Sequence, residues 1–454
     1  MADELSRLLA MVDQASDEVI ELTRNLVRIP TVNFGTPSSG DEMQAAEFLR
    51  DWLARDGVES TIYPSAENRG NLVATLTGSS GPRLLFMSHT DVVPVEDAEQ
   101  WTHRPFSADV ADGRIWGRGS SDMKSTVAAQ AMAMMILRRA GIPLSGTLTF
   151  ATCADEEAGG AFGFGYMARH HPEVLRADFA VNEGGGGVVR SGDRLIYPIS
   201  TGEKGRLEIH IRVKGRGWHA SQPWRADNAI YRADEVIRRI RSYEPEVSTR
   251  AEIFNHLDTL AGVTERVDDQ NVERILRQVE TRNPNLASTL RASSRMTLVA
   301  TMINAGVKSN SVAETCTIIC DVRSLPWQDV DYVRGEIAHV LDGLDAVSFD
   351  IIETAVSNSS SYDSPFRSFV EAATRDAVGR PDLAFIPGLS VGFTDSRFVR
   401  PLGNVTYGFV PSHPEDDPSK AGAHNINEST GIDSLITATK FHLALAYRIL
   451  ATGT

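Results

Sequence analysis

Five short stretches of this chain carry side chains that could do chemistry. They are His89-Thr90-Asp91, Asp122 behind Gly117-Arg118-Gly119-Ser120-Ser121, Asp155-Glu156-Glu157, Asn182-Glu183, and a loop holding His424. Carboxylate oxygens mixed with imidazole form a donor set that a borderline-soft divalent ion such as zinc accepts. Of two adjacent glutamates, one can ligate while the other acts as a base. Together the stretches read as a two-metal hydrolase centre. Taken singly, each has a plainer explanation. His89 and Asp91 stand two apart at a strand end and point to one side. Asp91 could therefore accept the imidazole proton that faces away from a metal, fixing the tautomer, or the two could be a surface ion pair. Asp122 could bridge two cations or cap a helix. The repulsion within Asp155–Glu157 could be relieved by a cation, by protonation or by water. Glu183 precedes four glycines, but Gly184 to Val188 lacks the Lys-Ser/Thr that a phosphate loop needs.

The elements that must position these residues follow from hydrophobic patterning. Apolar runs at 71–76, 83–88 and 147–152 alternate with helical stretches at 41–56 and 123–140. That alternation predicts an α/β fold with a mainly parallel sheet. Ligands of such sheets sit beyond the carboxyl ends of strands, and His89, Glu156 and Glu183 each follow a strand-like run. From 205 onward the pattern changes to strand 206–213, helix 228–241, strands 296–303 and 315–322, helix 331–341 and strand 347–354. This βαββαβ order predicts an inserted α+β module, with a polar helical segment at 246–292. The α/β pattern resumes after 358, so residues 1–204 and 358–454 form the predicted catalytic domain and 205–357 the inserted one.

Composition narrows the function classes. A chain of 454 residues exceeds one comfortable core. Its formal charge of −15 argues against nucleic acid or an anionic membrane as partner. The amino terminus carries acidic residues and no apolar signal core, which predicts a cytoplasmic protein. The longest apolar stretch, 127–137, runs into Arg138 and Arg139 and is too short to span a bilayer. The cysteines are Cys153, Cys316 and Cys320; the last two fall on one face of a strand and read as buried thiols.

In this order the motifs resemble those of the dinuclear zinc amidohydrolases of the M20 metallopeptidase family. That family includes glutamate carboxypeptidases, aminoacylases, acetylornithine deacetylases and succinyl-diaminopimelate desuccinylases. The resemblance runs from the N-terminal helix to His424. It rests on His89-Thr-Asp91-Val-Val-Pro, Trp101 through Phe106, Gly117 to Lys124, Asp155-Glu-Glu157, Asn182-Glu-Gly-Gly and Glu203-Lys-Gly. It implies that His89 and Glu183 hold one zinc and Glu157 and His424 the other, with Asp122 bridging. It further implies Glu156 as general base, Asp91 as the group orienting His89, and a cis peptide after Asp122. The inserted module becomes a lid and dimerisation domain. There His219, in Gly217-Trp-His219-Ala-Ser, would stabilise the oxyanion in the partner subunit's site, and Asn310 and Arg323 would hold the substrate.

Departures from the family pattern occur at Asn310-Ser-Val-Ala, which lacks a proline, at His424-Asn-Ile-Asn-Glu428, and at Val391-Gly-Phe-Thr394-Asp395. His413 competes with His424 as the last ligand; Asn427-Glu428 at the family's offset favours His424. The expected protein is thus a homodimer with two zinc ions per chain, manganese or cobalt being alternatives. It would cleave an amide or peptide bond of an N-acyl amino acid or short peptide with a free carboxylate. The alternatives are a biosynthetic deacylase of the acetylornithine or succinyl-diaminopimelate type, and a catalytically silent binding protein on the same fold.

Overall fold

A computed structural model describes residues 2–36 and 39–451. The chain divides into two units, one comprising residues through Thr201, Ser360–Gly388 and from Thr394 onward, the other Gly202–Ser359 with Leu389–Phe393.

The first unit is built on a mixed sheet whose four central strands are parallel. They are Thr147–Cys153, Arg83–His89, Phe179–Asn182 and Val405–Gly408. An antiparallel hairpin, Ser60–Ala66 and Arg69–Leu76, extends one side. On the other side Arg194–Glu203 pairs antiparallel with Val405–Gly408. The central strands are apolar without alternation because both faces are covered: Leu84, Phe86, Leu148 and Phe150 meet one core, Leu85, Met87, Ala151 and Cys153 another. Helix Ser125–Ala140 is buried all round from Ser125 to Leu137, packed between the sheet and helices Ser16–Arg28 and Ile432–Leu450. Because Arg83–His89, Thr147–Cys153 and Phe179–Asn182 run the same way, their carboxyl ends deliver His89, Asp155–Glu157 and Glu183 to one edge. The glycines after Glu183 serve packing: a Cβ on Gly185 would strike the carbonyl of Gly408, and one on Gly186 that of Val410.

The second unit is a four-stranded antiparallel sheet in the order Thr297–Ala305, Thr315–Ser324, Gly205–Lys214, Val347–Ala355. Its strands alternate, so Leu207, Ile209, Ile211 and Val213 face helices Ala229–Ser242 and Val330–Val340, joined by Ile318 and Val322. Cys316 and Cys320 lie on this buried face and are free. Helices Leu257–Ala261, Val272–Glu280 and Pro284–Ser293 fill the stretch between the first helix and the edge strand. Among the described residues, no helix is long and apolar enough to cross a membrane.

Candidate metal centre

His89 closes its strand, and Glu157 sits in the short turn Glu156–Ala158 just beyond the neighbouring strand. Asp122 lies between Gly119, which has φ 82°, and helix Ser125–Ala140, and the peptide bond to Met123 is cis. Two groups of ligand atoms result, His89 with Asp122 and Glu183, and Asp122 with Glu157 and His424. Within each group the atoms lie within 4.8 Å of one another. His89 Nε2 is 3.2 Å from Asp122 Oδ1 and 3.7 Å from Glu183 Oε1. His424 Nε2 is 3.3 Å from Asp122 Oδ2 and 3.1 Å from Glu157 Oε2. Asp122 therefore gives one oxygen to each group, the geometry of a bridging carboxylate. His413 is not in either cluster; its Nδ1 accepts from the amide of Glu415.

Asp91 ties two of these elements together. Its Oδ1 lies 3.4 Å from His89 Nδ1 and accepts the amide of Glu156 at 3.0 Å, and its Oδ2 accepts that of Glu157 at 3.1 Å. One carboxylate thus sets both the imidazole and the turn that carries Glu156. Glu156 itself makes no side-chain hydrogen bond among the described residues.

Glu428 does for Asp122 what Asp91 does for His89. Buried at 1% exposure, its Oε1 accepts the amides of Ser121 and Asp122 at 2.9 and 3.0 Å. Its Oε2 accepts the amide of Gly119 at 3.0 Å and Arg118 NH1 at 2.7 Å. Lys124 is buried behind the same loop and donates to the carbonyl of Ile29 at 2.6 Å, and burial pulls its pKa down to about 7. Sequence reasoning used Glu428 only to mark the offset of His424 and gave Lys124 no role; the burial of each charge is seen only in the structure.

Electrostatics show what the cluster lacks. Burial, with Glu183 beside it, holds Glu156 well above the usual carboxylate range, and burial with Asp122 does the same to Glu183. Glu157 is raised by burial, against its hydrogen bond from His424. Burial also opposes ionisation of Asp122, but hydrogen bonds from His424 and His89 outweigh it and lower its pKa. Those to Asp122 and Glu157 push His424 up to about 10. Four carboxylates face two imidazoles, so the site draws in protons to offset its negative charge. Two divalent cations would supply that charge instead, and the oxygen-plus-imidazole donors fit zinc-like ions.

Three residues named from sequence belong to the second unit and are described within it. His219 is exposed and bridges to Ser311, and its Nδ1 accepts from the amide of Ser221 at 3.2 Å, which leaves Nε2 to carry the proton. The carbonyl of Asn310 accepts from Ala220 at 3.0 Å, so Asn310 and His219 share one loop pair. Arg323 is half-buried and its Nε donates to Asp321 Oδ1 at 2.8 Å.

The family description Peptidase family M20/M25/M40 matches residues 85–448. A succinyl-diaminopimelate desuccinylase of Methylorubrum extorquens is 36% identical over 222 residues, 46% of this chain and 54% of that protein. The aligned part thus spans about half the length of that relative. A probable succinyl-diaminopimelate desuccinylase of Staphylococcus epidermidis is 23% identical over 384 residues, covering 84% of this chain and 86% of that one. Among solved structures, the M20 family metallo-carboxypeptidase of Sulfolobus solfataricus superposes with TM-score 0.69 at 19% identity, covering 94% and 98% of the two chains. A dinuclear metal binding peptidase of Bacillus subtilis gives 0.61 at 14% identity, covering 96% and 99%. Both likenesses are of fold.

Proposed function

The chain belongs to peptidase family M20/M25/M40, and on that premise we propose that it hydrolyses an amide bond of an N-acyl amino acid or short peptide bearing a free carboxylate. It is a metal-dependent hydrolase of that family. The observation that carries this reading is Asp122 with one oxygen in each ligand group, beside a Glu156 carboxylate that makes no side-chain hydrogen bond among the described residues.

Two divalent cations, zinc by preference and manganese or cobalt by supply, would polarise the scissile carbonyl and make an intervening water acidic near neutral pH. Glu156 accepts the proton of the attacking water and returns it to the departing amine nitrogen. Asp91 holds the His89 ring and the Glu156 turn in register through the bonds given above. His219, with its proton on Nε2, is suited to donate to the tetrahedral oxyanion in the partner subunit's site. Asn310 and Arg323 are assigned to the substrate's carbonyl and carboxylate.

The homodimer is supported by the edge strand Thr297–Ala305, which leaves Val299, Met302 and Ile303 more than half exposed. Its three buried, unpaired cysteines fit a reducing compartment such as the cytoplasm. A second reading, desuccinylation of succinyl-diaminopimelate, is favoured by the names of the relatives that match. One panel tests both: succinyl-diaminopimelate, N-acetylornithine, other N-acyl amino acids and dipeptides, each with and without chelator. Cleavage within the panel that stops on metal removal is expected, with kcat/KM ranking the two readings. Cleavage that survives complete metal removal overturns both.

A further inference from the structure

Behind Asp91 lies a buried charged network that none of these roles uses. Asn33, Glu42, Arg69, Asp91 and Asp155 are each at most 4% exposed. The Asn33 amide nitrogen donates to Asp91 Oδ2 at 2.9 Å and to Asp155 Oδ1 at 3.0 Å, using both of its hydrogens. Its Oδ1 accepts from Arg69 NH2 at 3.1 Å and from the amide of Gly35 at 2.9 Å. These partners permit only one orientation of the amide. Arg69 pairs through NH1 with Glu42 and lies 3.5 Å from Asp155 Oδ1. Gly40 leaves room for that pair, since a Cβ there would run into both side chains.

The two carboxylates that Asn33 joins hold the Glu156 turn from both sides. Asp91 accepts the amides of Glu156 and Glu157, while Asp155 is the residue before the turn, in a left-handed conformation at φ 70°. Left alone, Asp91 and Asp155 would repel one another in a medium with little water. Asn33 supplies a donor to each, and Arg69 supplies the compensating charge. We propose that Asn33 and Arg69 are positioning residues, fixing through Asp91 and Asp155 the turn that presents Glu156 and Glu157 and the ring of His89. This rests on the metal-centre reading above and extends it to residues in contact with neither ligand nor substrate.

The sharp variant is Asn33→Asp, which keeps the shape but turns two donors into acceptors facing two carboxylates. Asn33→Ser, which removes one donor and some bulk, serves if the first variant does not fold. Metal-free protein is titrated with cobalt chloride and followed by visible absorption, with circular dichroism as a check on folding. A displaced ligand partner is expected to weaken cobalt binding about 10-fold and to change the band shape. On the best substrate of the panel, kcat falls while KM stays within about two-fold, because binding energy is left and geometry is lost. Folded variants whose cobalt isotherm and bands superpose on those of the unaltered protein overturn the proposal. Failure of the unaltered protein to bind cobalt is a different result, and it removes the metal-centre reading itself.

Discussion

Two acidic regions of this molecule use the same side chains to opposite ends. On the outer face of the inserted unit's sheet, every carboxylate has its own basic partner: Asp321 meets Arg206 and Arg323, Asp350 meets Arg212, and Glu208 meets the imidazole of His210. At the strand ends of the first unit, Asp122, Glu156, Glu157 and Glu183 share two imidazoles, and three of the four are held above the usual carboxylate range, by burial first. A region that neutralises itself has no need of a ligand. A half-buried region with surplus charge of one sign is a place where a cation would bind, and that difference, rather than the number of acidic residues, marks the candidate site.

The contrast is broken most severely by removing a charge that the surplus region does neutralise. Glu428 and Arg118 are 1% and 2% exposed, and Glu428 also accepts three backbone amides of the Asp122 loop. Glu428→Gln leaves Arg118 without its partner, at an expected cost of about 3–5 kcal/mol in unfolding free energy by urea titration. A variant as stable as the parent shows that this pair does not hold the loop. Next in size is Glu156→Gln, which leaves the proposed ligands untouched. Turnover should fall at least about 100-fold, roughly 3 kcal/mol of barrier, with metal content by elemental analysis still near that of the parent. Retained turnover would remove Glu156 as the base.

Most of the surplus region was legible in sequence, because a parallel strand ends where the candidate ligands begin, and His89, Glu156–Glu157 and Glu183 each stand just past an apolar run. The residues that support it were not. Asn33, Glu42, Arg69 and Glu428 reach the site from separate parts of the chain, Glu428 from 306 positions beyond Asp122. No local spacing announces a contact of that kind. The antiparallel pairing beside the parallel strands was equally hidden: the apolar run at 71–76 marks a strand, but Arg69–Leu76 is buried from Arg69 to Ala74, and nothing in that run shows its direction or its partner Ser60–Ala66. The inserted sheet does alternate, and its βαββαβ order could be read directly.

Two histidines of the first unit sharpen the contrast at the scale of one side chain. His89 is buried against Asp91 and Asp122, and His442 against Phe86 and Phe441, with Nδ1 donating to the carbonyl of Ala438 at 2.8 Å. Burial without a carboxylate pulls His442 down to about 4. Above about pH 6.5 the ring is neutral in both folded and unfolded chains, and its contribution to stability is whole. As pH falls toward 4 the unfolded chain takes up a proton that the fold excludes, so stability drops by about 2 kcal/mol between pH 7 and pH 5. Urea midpoints at both pH values should differ less in His442→Gln than in the parent. An equal difference assigns the acid limb to other groups.

The smallest effect is expected where charge is already matched and wet. Arg212 and Asp350 pair diagonally across adjacent strands with side chains 53% and 58% exposed. Water screens both charges in either state, so the pair gains little from the fold and each member is solvated when the other is removed. Arg212→Ala and Asp350→Ala should each shift unfolding free energy by less than about 1 kcal/mol, and the double variant should show a coupling energy of the same small size. Turnover and cobalt binding should stay at parental values in all three. A large coupling, or a loss of metal affinity on breaking this pair, would mean that the self-neutralised face also feeds the site, and the division between satisfied and surplus charge would fail as a guide to function.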